Sequence, residues 1–259
     1  VTAADALALS DALGRLATTP RLLVALDFDG TLAPEVDAPL QARALPEAMD
    51  AIRRLSALDQ TTVALVSGRD LASLVEVSRT PDDVLLVGSH GIEVRVDGHE
   101  TSLSDDERAA RERLSEAVHG VAEGRDGVFV EEKPAGLALH TRLADQATTE
   151  AVHEAAREAV GALGGMHERV GKNVLEFAVR ATGKDDGIER LREVVGATGV
   201  LYAGDDVTDE DGFRALGDGD LSLKVGPGET RAMHRVADPA AVADLLAELA
   251  GLREHLGHA

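Results

Sequence analysis

Cysteine is absent from the chain, and with it go disulfides, thiolate metal sites and cysteine nucleophiles. Aromatic side chains are scarce at 2% of the sequence, with one tyrosine and no tryptophan. No apolar run approaches the roughly 18 residues that would suggest a membrane span. Positive charge is short as well: 26 Lys and Arg face 47 Asp and Glu, for a net charge of −21. That balance argues against nucleic acid or an anionic membrane as partner, because both need a basic face. Nor can it steer an anionic substrate, so a phosphate site would have to be a local positive island of metal, cationic side chains and backbone N–H groups. Lysine occurs only as Lys133, Lys172, Lys184 and Lys224, against 22 arginines, and the first three fall in segments singled out below. What remains is a globular composition, 44% hydrophobic and 28% charged over 259 residues, enough for two ordinary domains. Residues 1–20 set Asp5 and Asp11 in an alanine and leucine pattern, an amphipathic helix and not a basic-then-apolar secretion signal, so the expected location is the cytoplasm.

The densest chemical signal is Arg21 to Leu32, an apolar strand ending in Asp27-Phe28-Asp29-Gly30-Thr31. A short apolar run bounded by a turn is what a strand buried in a parallel sheet looks like, and in such sheets ligands gather at the strands' carboxyl ends. Side chains two apart on an extended chain aim at one small volume. Two carboxylates so placed share either a proton or a cation.

Strand and helix signals alternate through the first hundred residues: helices over 46–58 and 71–77, strands over 62–66 and 84–87. The middle changes character, with helices over 105–123 and 147–163 and strands over 128–132, 137–143 and 174–179, the order of a small antiparallel α+β domain. The βα alternation then returns, with helices over 186–195 and 239–256 and strands over 200–203 and 221–225. The expected fold is α/β, a Rossmannoid parallel-sheet core (1–101 and 184–259) interrupted by an α+β insert (102–183). His255 and His258 read as tail residues.

Three further segments complete a reaction centre. Ser67-Gly68-Arg69 follows a strand and enters a helix, a cradle for phosphate oxygens. Lys184 opens a helix, where its ammonium would neutralise a transferring phosphoryl group. Gly204-Asp205-Asp206-Val207-Thr208-Asp209-Glu210-Asp211 packs five acids at a strand end, with Thr208 as an N-cap candidate. Together they suggest Mg²⁺ held by Asp27, the Asp29 carbonyl and Asp205, with Asp206 beside them. Asp27 would attack phosphorus and Asp29 would act as acid and then base, while Ser67, Lys184 and N–H groups near Gly30 hold the equatorial oxygens.

These segments resemble the signature motifs of the haloacid dehalogenase superfamily of phosphatases. Within it, Gly88-Ser89-His90-Gly91, Glu131-Glu132-Lys133-Pro134-Ala135-Gly136, His140-Thr141-Arg142, Gly171-Lys172-Asn173-Val174-Leu175-Glu176 and the acidic run from Gly204 are similar to the trehalose-6-phosphate phosphatase family, over residues 20 to 240. The resemblance implies a substrate cap in which Glu131, Lys133 and Glu176 grip a disaccharide, with Arg69 and His90 near the junction of core and cap and Thr31 in the first motif. Strand alternation separately puts Glu131 with Lys133, and His140 with Arg142, on one polar face suited to sugar hydroxyls. Two positions depart from the family pattern: Thr141 where Tyr is frequent, which would alter a wall of the sugar pocket, and Asp185 where Gly is common, which puts a negative charge beside Lys184. The expected protein is a Mg²⁺-dependent monomer acting on a phosphorylated disaccharide. The alternatives are a phosphatase of sucrose phosphate or glycosyl-phosphoglycerate, a sugar-phosphate sensor, and, at half this length, a phospho-acceptor receiver domain.

Overall fold

The computed structural model describes residues 3–36, 38–96, 99–101, 103–171, 173–180 and 183–257; Lys172, Thr182 and His258 lie outside them. The chain divides into two compact units, residues 1–101 with 182–259, and residues 102–181. In chain order the first part of the larger unit holds α1 (Ala3–Ala17), β1 (Leu22–Leu26), α2 (Pro46–Ser56), β2 (Thr61–Val66), α3 (Leu71–Ser78), β3 (Leu85–Gly88), β4 (Glu93–Val96) and β5 (His99–Thr101). The smaller unit holds α4 (Asp105–Ala122), β6 (Phe129–Lys133), β7 (Gly136–His140), α5 (Gln146–Gly161), β8 (His167–Gly171) and β9 (Val174–Ala178). The larger unit resumes with α6 (Lys184–Val195), β10 (Gly199–Gly204), α7 (Asp209–Arg214), β11 (Leu221–Val225), β12 (His234–Val236) and α8 (Pro239–Gly257).

The eight strands of the larger unit run β12-β11-β10-β1-β2-β3-β4-β5, parallel from β12 to β3 and closed by an antiparallel edge. Every residue of β1, β10 and β11 is buried, so both faces must be covered, as parallel sheets require. Alternation along β1 divides its side chains between two clusters. Leu22, Val24 and Leu26 pack with Leu13, Ile52, Leu55, Leu74, Leu246 and Leu249, while Leu23 and Ala25 pack with Ile188, Leu191, Tyr202 and Phe213. Each such leucine contributes about 1.5–3 kcal/mol on burial, which secures the strand whose end carries Asp27.

The smaller unit is an antiparallel sheet ordered β6-β7-β9-β8. Leu137, Leu139, Leu175 and Phe177 project from one face onto Leu114 and Val118 of α4 and Val152, Ala156 and Val160 of α5. Helix α4 begins on a reciprocal capping box between Ser104 and Glu107, and Glu107 also receives a bidentate pair from Arg180 at 2.7 and 2.5 Å. That pair, reinforced by the cap, lowers the Glu107 carboxyl to about 2.

The strand expected over 137–143 ends at His140. Beyond it Thr141 is drawn to α5, its hydroxyl 3.2 Å from His153 Nε2 and 3.3 Å from the Asn173 carbonyl. Strands β4, β5, β8 and β12 were absent from the sequence expectation. Among the described residues no helix is long and apolar enough to cross a membrane.

Candidate active site

Asp27, Ser67 and Asp205 are each the first residue past a parallel strand, β1, β2 and β10, and β1 lies between the other two. The pairing of β1 with β10 carries one residue further, since the Asp27 amide donates to the Ala203 carbonyl at 2.9 Å. Asp205 then meets the turn after Asp29: a Cβ on Gly30 would stand 2.0 Å from Asp205 Oδ2, and its φ of +73° is itself a glycine conformation. The Gly30 amide is itself occupied by the Ala33 carbonyl at 2.8 Å.

Lys184, the first residue of α6, bridges two acids. Its ammonium donates to Asp27 Oδ1 at 2.7 Å and to Asp209 Oδ1 at 2.6 Å, with all three side chains at most 6% exposed. Asp27, Asp205 and Asp209 each offer an oxygen within 4.8 Å of the others. Burial pushes the Asp27 carboxyl well above the usual range, Asp209 and Asp205 push it further, and Lys184 opposes. Asp205 is raised in the same way, by burial first and by Asp209 next. Burial pulls the Lys184 ammonium down, but Asp27 and Asp209 more than reverse this and its proton is held more tightly than usual. Three converging carboxylates, two of them bridged by the Lys184 ammonium, form a site short of positive charge.

Asp29 has a separate partner. Arg69 grips it with two bonds, Nε to Oδ2 at 2.6 Å and Nη2 to Oδ1 at 2.7 Å, and is itself fixed by the Pro39 carbonyl at 2.8 Å and the Ser73 hydroxyl at 3.2 Å. The Ser67 hydroxyl accepts from the Arg69 amide at 3.1 Å. His90, in a left-handed conformation (φ 55°), donates its amide to the Ser67 carbonyl at 3.1 Å and lays its ring over Gly68. Thr31 is fully buried, with its hydroxyl 3.5 Å from Asp205 Oδ1.

Two expectations are corrected here. Asp206, expected among the metal ligands, is exposed and turns Oδ1 to the Val207 amide at 2.5 Å, outside the converging group of Asp27, Asp205 and Asp209. Thr208 precedes α7 but makes no side-chain capping bond. Asp185 sits in the first turn of α6, where a carboxylate favours the helix, and does not displace Lys184. The sequence reading missed Asp209, Tyr202, whose hydroxyl donates to Asp209, and Lys224, which donates to the Asp205 carbonyl. The concentration of acids after β10 was the signal for the first, and the small number of lysines could have found the last.

In the smaller unit the sheet face opposite the helices is polar. Register places Glu131, Ala138, Glu176 and Arg169 in one cross-strand row, with Lys133 and His140 in the flanking rows. Lys133 Nζ donates to Glu176 Oε1 at 2.7 Å, and His140 Nε2 lies 2.8 Å from Glu131 Oε2. The His140 ring stacks on Phe129 with centroids 4.6 Å apart, and Arg142, past the end of β7 and not on the strand, brings its guanidinium 5.3 Å from the same ring. Thr141 faces the opposite way, toward His153 of α5, and is 1% exposed.

The parallel sheet with acids at its strand ends, interrupted by a small α+β unit, defines the haloacid dehalogenase type of α/β fold. It is similar to the solved structure of the Aspergillus fumigatus trehalose-6-phosphate phosphatase, with a TM-score of 0.77 at 27% identity, covering 94% of this chain and 97% of that one. A profile of the family described as trehalose-phosphatase matches residues 25–238, and the chain belongs to that family. A trehalose-phosphate phosphatase of Mycobacterium marinum is 33% identical over 258 residues, 93% of this chain and 64% of that protein. A bifunctional trehalose-6-phosphate synthase/phosphatase of Thermoproteus tenax is 35% identical over 238 residues, and the match spans 90% of this chain but 32% of the relative.

Proposed function

We propose that this protein hydrolyses trehalose 6-phosphate to trehalose and phosphate through an aspartyl-phosphate on Asp27. The observation that carries the reading is the buried Asp27–Lys184–Asp209 bridge at the end of β1, with Asp29 two residues on in the grip of Arg69. An Asp27 oxygen attacks phosphorus, the bond from phosphorus to the sugar oxygen breaks, and Asp29 supplies the proton that the leaving oxygen takes up. Water then attacks the acyl phosphate and gives a proton to Asp29, which releases phosphate, frees the Asp27 carboxylate and returns Asp29 to its protonated form. Lys184 would stabilise charge on the transferring group, and the Ser67 hydroxyl would hold one of its oxygens.

The carboxylates fit a hard divalent cation: their oxygens converge within 4.8 Å and carry more negative charge than Lys184 neutralises. Mg²⁺ would be held by Asp27 and Asp205, with the Asp29 carbonyl, and when bound it would offset the repulsion between these acids and a phosphate dianion.

In this reading residues 1–101 and 184–259 are the catalytic core and residues 102–183 the cap that selects the substrate. Glu131, Lys133, Glu176 and His140 would bind sugar hydroxyls, and Arg142 would flank them. The protein would act as a cytoplasmic monomer whose partner is its small substrate. The test is phosphate release from trehalose 6-phosphate, sucrose phosphate, glucose phosphate and glycosyl-phosphoglycerate, each with Mg²⁺ and with chelator. Turnover that needs the metal and favours trehalose 6-phosphate is expected. Preference for another sugar would overturn the substrate, and turnover in chelator would overturn the cofactor.

A further inference from the structure

The chain's single tyrosine is placed where an apolar residue would be expected. Tyr202 lies on β10, is fully buried, and packs with Ile188 and Phe213, its ring 5.5 Å from that of Phe213. Helix α7 passes so close that a Cβ on Gly212 would stand 2.3 Å from the tyrosine ring. Phenylalanine would fill this space equally well, and burying a hydroxyl costs free energy unless it is bonded. The hydroxyl is bonded: it donates to Asp209 Oδ1, the oxygen that also receives the Lys184 ammonium at 2.6 Å. Asp209 Oδ2 accepts the Asp206 amide at 2.9 Å. All three donors to this carboxylate come from the protein, and one of them is the cation that Asp27 shares.

We propose that Tyr202 is a positioning residue for phosphoryl transfer: by occupying Asp209 Oδ1 it limits the hold of Asp209 on Lys184 and keeps the ammonium divided between Asp209 and Asp27. A hydrogen bond to a carboxylate oxygen draws charge away from that oxygen and weakens its attraction for a second donor. Without the hydroxyl, in a space closed to water, Asp209 offers Lys184 a more negative oxygen, and the ammonium moves towards it and away from Asp27. Burial, together with Asp209 and Asp27, keeps the phenol protonated far beyond its ordinary range, so it remains a donor.

The inference rests on the phosphatase reading, and the Tyr202→Phe variant tests it. With trehalose 6-phosphate and Mg²⁺, kcat is expected to fall about 10- to 100-fold while KM stays within about twofold, because the hydroxyl acts on the transferring group's surroundings and not on sugar binding. Thermal unfolding is followed in parallel. The second readout needs no turnover. With four lysines in the chain, the ammonium resonances of ¹⁵N-lysine-labelled protein are few, and that of Lys184 is identified by its loss in Lys184→Arg. In Tyr202→Phe this resonance is expected to shift while the other lysines hold their positions. A wild-type kcat, or a reduced kcat with an unmoved Lys184 resonance, would overturn the proposal. Failure of the wild-type protein to release phosphate from trehalose 6-phosphate would defeat the phosphatase reading instead, and the Lys184 resonance would still report whether Tyr202 governs the bridge.

Discussion

The two sheets of this protein present chemistry in opposite ways. In the larger unit β1, β10 and β11 are buried along their whole length, and the converging carboxylates follow where β1 and β10 stop. In the smaller unit β8 is exposed throughout and β6 at three of its five residues, and polar groups stand along the face of the strands. A parallel sheet covered on both sides has its ends free, which gives a few groups in a dry, closely set arrangement. A half-covered antiparallel sheet has a surface free, which gives many groups in a wet, tolerant one. The first suits a reaction and the second suits recognition.

The comparison is most sharply broken by Asp27→Asn. If chemistry belongs to the strand ends, phosphate release should fall by about 10³-fold or more, since the nucleophile itself is lost. A tenth of the wild-type rate in that variant would put the reaction elsewhere. Gly30→Ala comes next: its new Cβ would stand 2.0 Å from Asp205 Oδ2 in a backbone with φ of +73°. It should cost about 1–3 kcal/mol in stability and about 10²-fold in kcat, read by chemical denaturation and steady-state kinetics.

On the polar face of the smaller unit the effect should be smaller and of another kind. The Lys133 and Glu176 side chains are 37% and 35% exposed, so Lys133→Ala should change stability by less than about 1 kcal/mol. It should raise KM for trehalose 6-phosphate about tenfold, while hydrolysis of an aryl phosphate, which has no sugar to hold, stays within about twofold. A matching loss with the aryl phosphate would erase the division between the sheets. The smallest effect concerns how α4 is anchored. The Glu107 carboxyl lies at about 2, below its ordinary 4.5, so its stabilising bonds to Arg180 and Ser104 are complete above about 4.5 and lost as pH falls towards 2. Thermal midpoints measured across that window should decline less steeply in Glu107→Gln than in the wild-type protein.

The sequence announced the larger unit well, because a buried parallel strand is an unbroken apolar run with a turn after it; β11 and the start of α2 fall where the pattern puts them. It concealed β8, whose His-Glu-Arg-Val-Gly is an exposed edge without alternation, and β12, which is three residues long. Asp27, Asp29, Lys184 and Asp205 were legible for the same reason as the strands, each marking an element's end. Asp209 and Tyr202 were not. They meet because α7 folds back over β10, and no spacing of i and i+7 in sequence signals such a contact. Arg69 was legible as a residue of the site, but its bidentate hold on Asp29, forty residues away, was not.

The larger unit is discontinuous, and this sets a timetable for synthesis. β1 emerges early, but one of its two neighbours in the sheet begins at Gly199 and the ammonium that bridges to Asp27 belongs to residue 184. The smaller unit is drawn from a single stretch, 102–181, so it has all of its own strands and helices while the larger is still incomplete. A growing chain would therefore carry a complete smaller unit while the larger is unfinished, and Asp27 would gain Lys184, Asp205 and Asp209 only after residues 102–181 have been made.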